Sequence, residues 1–485
     1  MADKTLLRYR RYEHEKRTKE IFEDLQTLHR PQGDPGIFVK VEKINYSNTE
    51  AEMAESVVLS VFSEKIYEYD RETILAERDD LSVRNYRPFF ATIIVPMEDR
   101  QKLGFFLEMV GRWMPAELMP ENSDTPENPR EGVFKAALVC SASPFQIYRH
   151  KIRITAGRGP FYFKGKDIND LINADYDPAI MNSCIANITD IDYELDRAWN
   201  PSGYDYIDAY NVGHGNADYI VGGSKRILFD IGYQYKQFPT STSPSQSLFP
   251  KAARSFAMIL PSLVIISHWD LDHFIGCVYA SDDVFKVKWI ATTLPQVTDK
   301  DFSINAFRLA AFLKATHKLM LIDRKMAGGF FGNTDLSADR YLLLKMGCCK
   351  KPETRNITKK NREGLFIEIY NRQKVEVLLA GDVSYNSMWG SMFDSEELRF
   401  LHVPHHCSKM KLDRLVNSKW DKGDNHAVIS TDRAGAGYDE DANHRRELTG
   451  KFGANVHYTS GDLSRSADEI RAVRIRKDGS VQERL

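Results

Sequence analysis

The stretch Leu263-Val264-Ile265-Ile266-Ser267-His268-Trp269-Asp270-Leu271-Asp272-His273 decides how this chain is read. It opens on an unbroken run of large apolar residues, as expected of a short strand buried on both faces. Two histidines and two aspartates follow within the six positions 268–273. A loop leaving a strand can turn several such side chains toward one point. Imidazole and carboxylate together are donors for zinc or for a harder ion such as manganese. The flanking strand and the small Gly276 argue against a solvated acidic loop.

Two more apolar runs end in ligand-type residues. Val375-Glu376-Val377-Leu378-Leu379 passes through Ala380-Gly381 into Asp382, and the run from Leu398 to Leu401 leads to His402, His405 and His406. Three strand ends of this kind imply one site at the edge of a sheet. Upstream, Tyr206–Tyr210, Tyr219–Val221 and Arg226–Gly232 read as consecutive strands, the last two turning at Gly222-Gly223. A helix is expected over 247–259, and Ala311–His317 has a helical pattern.

The ordered motifs resemble the metallo-β-lactamase superfamily, and within it the soluble hydrolase domain of the ComEC/Rec2 competence proteins. Asn211-Val212-Gly213-His214-Gly215-Asn216-Ala217 is similar to the family's opening glycine-rich turn. Asp230 matches an aspartate that orients ligands from behind. His268-x-Asp270-x-Asp272-His273 matches the signature segment, in the form that carries Asp at position 270. Asn361, ahead of Leu365–Ile369, looks like the asparagine that precedes a strand in that branch. Gly381-Asp382 matches the bridging carboxylate, and Val403-Pro404-His405-His406-Cys407-Ser408 the paired-histidine motif, where Cys407 stands in place of the usual glycine. The segment from Ile429 through His444 also has the family's look. The resemblance spans about 205–465.

The resemblance implies an αββα sandwich over 205–485 that binds two divalent ions, Mn or Zn and alternatively Mg. It implies His268 and Asp270 on one ion, Asp272, His273 and one of His405/His406 on the other, and Asp382 between them. A hydroxide activated between the ions would attack phosphorus or a carbonyl, with Asp272 orienting it. His402 and His444 are candidate catalytic residues, either supporting the ligands or serving the leaving group. Ser408 and Lys409 are candidate phosphate contacts. The histidine that the superfamily usually places between His273 and Asp382 is missing here: His317 is the one candidate, and its helical setting implies a surface or packing residue. The leading activity is a metal-dependent phosphodiesterase or nuclease acting on DNA or RNA, with Tyr206, Tyr210, Lys409 and Lys411 as groove candidates. The alternatives are hydrolysis of a small carbonyl or nucleotide substrate, and a non-catalytic metal-binding scaffold in a multi-protein assembly.

The bulk composition constrains this reading. The chain has 485 residues, 42% hydrophobic and 28% charged, with 66 basic against 68 acidic residues. Near-neutral charge excludes a globally basic nucleic-acid coat protein but leaves room for a local basic groove. No run of about 18 apolar residues predicts a membrane span. Six cysteines without a CxxC pair, and a charged N-terminus without an apolar signal core, predict free thiols and a cytoplasmic protein.

Residues 1–200 show no catalytic constellation and are expected to form a separate α+β accessory domain, the expected docking point for a protein partner. A charged helix is predicted over 7–29, with the minority reading of a basic nucleic-acid arm. Strands are predicted at 37–41, 89–95 and within 133–156, and a helix over 99–114. The proline-rich segment 115–132 is predicted to be a long loop.

Overall fold

The computed structural model describes residues 15–25, 37–46, 54–75, 88–97, 100–128, 132–140, 148–155, 161–210, 212, 215–233, 260–332, 339–348, 359–390, 392–420, 425–430, 441–459 and 472–484. The predicted helix 247–259 and Asn211, Gly213 and His214 of the glycine-rich turn lie outside these residues. Two compact units emerge. The first takes the described residues up to Asn182 together with Leu294–His317, and the second takes the remainder.

In the first unit, a helix at 15–25 buries Ile21, Phe22 and Leu25. Six strands close an antiparallel barrel: β1 (Ile37–Tyr46), β2 (Ala54–Phe62), β3 (Ala91–Pro96), β4 (Met114–Pro120), β5 (Val133–Cys140) and β6 (Tyr148–Ile154), in the order β1-β2-β3-β5-β6-β4. Closure removes the unpaired backbone groups of an edge strand. The expectation of a loop from residue 115 is corrected here, because Met114–Pro120 is the strand between β1 and β6. Proline removes a ladder donor, yet Pro115 and Pro120 sit near the two ends of β4, where that loss is tolerated. Pro115 still contributes its carbonyl, which accepts from the Thr155 amide at 2.9 Å.

A ribbon of β7 (Tyr162–Phe163) and β8 (Lys166–Asp167) follows the barrel in sequence. The helix Ile304–Ala315 also belongs to this unit, and its Arg308 is fully buried. The Arg308 Nε–H and the Tyr176 hydroxyl both donate to Asp70 Oδ2 at 2.8 Å. Burial pushes the Asp70 carboxyl up, against the opposing pull of Arg308. Removing one partner of such a buried pair costs about 3–5 kcal/mol.

The second unit contains two mixed sheets. The first is built from β9 (Tyr206–Tyr210), β10 (Asp218–Gly222), β11 (Lys225–Phe229), β12 (Leu263–Ile265), β13 (Lys288–Thr292) and β14 (Leu319–Ile322), joined by β22 (Ala472–Arg476) and β23 (Val481–Arg484). Its order is β14-β13-β12-β11-β10-β9-β22-β23. The second runs in sequence order from β15 (Phe330–Phe331) through β16 (Arg340–Met346), β17 (Leu365–Asn371), β18 (Lys374–Leu379), β19 (Phe400–His402) and β20 (His426–Ile429) to β21 (Val456–Tyr458). Each sheet passes from antiparallel pairs into four parallel strands, β11 to β14 in one and β18 to β21 in the other. The strand β22 returns to pair with β9, and there Arg474 makes a bidentate ion pair with the buried Asp208 at 2.5 and 2.6 Å.

One apolar cluster fills the space between the sheets. Ile207, Ile220, Phe229 and Ile265 of the first meet Leu344, Ile367, Val377 and Phe400 of the second. The other face of the second sheet, with Phe366, Leu378 and Leu401, packs on Leu448 and Phe452 of the helix Ala442–Phe452. This sandwich is of the α/β class. No helix among the described residues is long and apolar enough to cross a membrane.

Candidate metal centre

Every ligand-type residue of the site follows a parallel strand. Asp230 follows β11, the segment His268–His273 follows β12, Asp382 follows β18, and His405 and His406 follow β19. Because such strands are buried on both faces, their last residues deliver polar side chains into a dry environment. His268, Asp270, Asp272, His273, Asp382 and His406 are all buried.

The loop after β12 is clamped by glycines. A Cβ on Gly232 would stand 1.9 Å from the Asp272 carbonyl oxygen, one on Gly215 would stand 2.6 Å from the same atom, and one on Gly276 would stand 2.6 Å from the Ile231 carbonyl. Only glycine permits these approaches. The Ile231 amide donates to the His273 carbonyl at 2.9 Å, which fixes the end of the ligand segment.

Asp382 is the centre of the arrangement. Its Oδ2 lies 3.6 Å from His268 Nε2, 3.4 Å from His405 Nε2 and 3.2 Å from Asn361 Nδ2, which donates to it. Its Oδ1 lies 3.1 Å from His273 Nε2 and 3.6 Å from His406 Nε2. Asp270 Oδ2 approaches His268 Nε2 at 3.2 Å, and Asp272 Oδ2 approaches His406 Nε2 at 3.6 Å. The two oxygens of one carboxylate thus face two groups, His268–Asp270–His405 and Asp272–His273–His406.

The tautomers are set from behind. Asp230 accepts from the Ser267 amide at 2.6 Å, from the Ser267 hydroxyl at 2.8 Å and from His273 Nδ1–H at 2.8 Å. His268 Nδ1 lies 3.0 Å from the Ser267 hydroxyl oxygen. With both Nδ1 atoms as donors, each ring turns Nε2 toward Asp382. His273 Nε2 and Asp382 Oδ1 are buried and have no aligned hydrogen bond. Polar atoms buried without an aligned bond are costly, and a bound cation would satisfy both. The donor set therefore fits divalent ions, with the atoms of His268, His273 and Asp382, and those of Asp272, His273 and His406, gathered within 4.8 Å.

The metal-free electrostatics agree. Burial opposes charge on His273, yet the carboxylates of Asp382 and Asp230 hold its imidazole well above the usual histidine range. Burial likewise opposes charge on Asp382, and His405, His273 and His406 hold it well below the usual carboxylate range. Burial pushes His406 down.

After β19 the backbone takes an unusual path. His405, His406 and Cys407 have φ of 48°, 53° and 65° in succession. Left-handed backbone in non-glycine residues costs roughly 1–2 kcal/mol each, and such strain gathers at functional sites. The turn is what lets adjacent histidines face the two sides of Asp382. It also shows why glycine suits position 407.

The remaining candidates lie apart from Asp382. His402 is bonded on both ring nitrogens, Nδ1 to Asp218 Oδ2 at 2.5 Å and Nε2 to the Ser430 hydroxyl at 2.7 Å. His444 is also bonded on both, Nε2 to the Tyr385 hydroxyl and Nδ1 to the Ser408 carbonyl, each at 3.0 Å. Burial pushes His444 down to about 4. Neither ring has a nitrogen left for a leaving group. Ser408 is buried, Lys409 is exposed, and His317 is exposed in the turn after Ile304–Ala315. Sequence reasoning missed Ser267, Asp218, Ser430 and Arg362. Ser267 and Ser430 each follow an apolar strand directly, which is the one signal that could have flagged them.

No family model matches the chain, and no curated protein matches it. Among solved structures, the chain is similar to Igni18, a metallo hydrolase from Ignicoccus hospitalis, at 15% identity over 52% of this chain and 94% of that one, with a TM-score of 0.30. It is similar to the metallo-β-lactamase fold protein YhfI from Bacillus subtilis at 10% identity over 52% and 96%, with a TM-score of 0.27. A variant of the β-hydroxylase CmlA matches at 11% identity over 54% and 47%, with a TM-score of 0.23.

Proposed function

We propose that the second unit is a metallo-β-lactamase-type hydrolase with two divalent ions, akin to the ComEC/Rec2 branch, and that it cleaves phosphodiesters, DNA or RNA foremost. The observation that carries the metal reading is Asp382, whose two oxygens face two histidine–aspartate groups. Ions held there supply Lewis acidity and lower the pKa of a bound water. Asp382 holds the groups together, Asp230 and Ser267 orient the rings, and Asp272 would orient the attacking water. A mixed imidazole and carboxylate set suits Mn or Zn, and with its several anionic oxygens also Mg.

Arg362 supports an anionic substrate. It follows Asn361, which contacts both His268 Nε2 and Asp382 Oδ2 at 3.2 Å. It is nine-tenths buried, and its Nε and Nη1 have no hydrogen-bond partner among the described residues. A buried guanidinium in that state calls for an oxyanion, and its fork matches phosphate.

The test incubates purified protein with single- and double-stranded DNA, RNA and cyclic nucleotides in separate Mn, Mg and Zn buffers. Asp272→Ala combined with His273→Ala should abolish cleavage, and Arg362→Gln should raise KM at least tenfold with a smaller change in kcat. A protein that cleaves no phosphodiester, or a double variant that cleaves as well as the parent, refutes the reading.

A further inference from the structure

Behind the ligands, one hydrogen-bonded chain crosses from sheet to sheet. Asp218 opens β10 in the first sheet, His402 closes β19 in the second, and Ser430 directly follows β20. All three are buried at 1% exposure or less. The Asp218 carboxylate takes the Nδ1–H of His402 at 2.5 Å, and His402 Nε2 then accepts from the Ser430 hydroxyl at 2.7 Å. This assignment uses each group once in a consistent donor order. It leaves His402 no nitrogen for a metal ion.

The chain sits where it matters for the turn. His402 is three residues before His405, where the left-handed stretch begins. The backbone on either side is pinned by Val403 N–H to the Val428 carbonyl at 2.9 Å and by His405 N–H to the Gly381 carbonyl at 3.0 Å. Both anchors lie within the second sheet and its strand ends. Asp218 ties this corner, through His402, to the first sheet, whose strands lead to Asp230 and His268–His273.

We propose that Asp218, His402 and Ser430 form a buried strut that holds the His405–His406 turn in register with the first sheet, so that metal affinity depends on hydrogen bonds remote from the ions. The affinity part rests on the metal reading of the site, whereas the strut itself does not. These are positioning residues, acting through the turn.

The decisive comparison is His402→Leu against His402→Gln in the full chain. Leucine keeps bulk and loses both bonds. Glutamine can donate to Asp218 and accept from Ser430. Hydrogen exchange is read by mass spectrometry on metal-free protein, over peptides covering 403–410, and Zn affinity is read by competition with a chromophoric chelator. The leucine variant should exchange at least tenfold faster in these peptides and bind Zn about 10–100-fold more weakly, with glutamine close to the parent in both. Equal behaviour of leucine and glutamine, or unchanged exchange in leucine, overturns the proposal. A parent protein that binds no divalent ion refutes the metal reading, and exchange still decides the strut. If His402→Leu does not fold, Ser430→Ala against Ser430→Thr replaces it. Faster exchange with alanine alone supports the strut, and equal exchange overturns it.

Discussion

Replacing Gly232 by alanine should cripple the metal centre without touching any ligand. The new Cβ would lie 1.9 Å from the Asp272 carbonyl oxygen, 2.7 Å from the Asn216 carbonyl oxygen and 2.8 Å from the Asn216 nitrogen. All three are backbone atoms, so no side chain can swing aside. Real Cβ contacts essentially never fall below 3.0 Å, so the Asp272 carbonyl must retreat by at least 1.1 Å, the difference from 1.9 Å. That carbonyl sits between the side chains of Asp272 and His273. Overpacking of this kind costs about 1–3 kcal/mol, and the upper end is expected. A displacement near 1 Å in a reacting geometry costs about a hundredfold, so Zn affinity and hydrolysis should fall by that order. Urea unfolding and chelator competition measure the two effects. Gly104→Ala is the control: it is exposed within the helix Arg100–Met109, has nothing within 4 Å of the added methyl, and should stabilise by about 0.5–1 kcal/mol. A Gly232→Ala protein with the parent's urea midpoint and Zn affinity would show that the ligand loop is not clamped as described.

Metal uptake should release protons. His273 is held charged by Asp382 and Asp230 in the metal-free protein, and a ligand imidazole must be neutral, so titration with Zn at pH 7 in weak buffer should acidify the solution and affinity should fall with pH; proton-neutral binding contradicts this. His444 is depressed by burial from 6.5 to about 4, so between those values the unfolded chain takes up a proton that the native state refuses. Stability should fall with acidification through that window by about 3 kcal/mol, and His444→Gln should flatten this limb of the urea midpoint against pH. At the left-handed position 407, Cys407→Gly should stay within about 1 kcal/mol of the parent, because relief of strain offsets lost packing. The β-branched Cys407→Val should lower the melting temperature clearly further than Cys407→Gly, and equal melting of the two would contradict the backbone argument.

The sequence made the candidate metal ligands legible because each follows an apolar strand. His268, Asp270, Asp272, His273, Asp382, His405 and His406 announce themselves by residue type at a strand end. What joins them is less legible. Asp218 and His402 are 184 residues apart, and only the packing of the first sheet, which holds β10, against the second, which holds β19 and β20, brings their side chains to 2.5 Å. Arg362 is an ordinary charged residue until its burial is known. Proline density concealed β4, since a strand whose prolines fall at its ends has the composition of a loop. Barrel closure cannot be read from periodicity at all, because it is a property of pairing. The left-handed turn at 405–407 could be anticipated only by asking why a glycine would suit position 407.

The return of β22 to β9 has a consequence for synthesis. A nascent chain leaves the ribosome in order, so residues 206–210 emerge long before residue 474. Until then the β9 edge lacks its neighbour, and Asp208, destined for burial, has no Arg474 to meet its carboxylate. The first sheet is therefore completed only after the second sheet, with every candidate ligand, has been translated. A message cut short after codon 460 would encode every candidate ligand, together with a first sheet whose β9 edge is open and charged. Such a product invites pairing with other chains, and a cell's quality-control proteases would meet it as a folding intermediate rather than as a smaller enzyme.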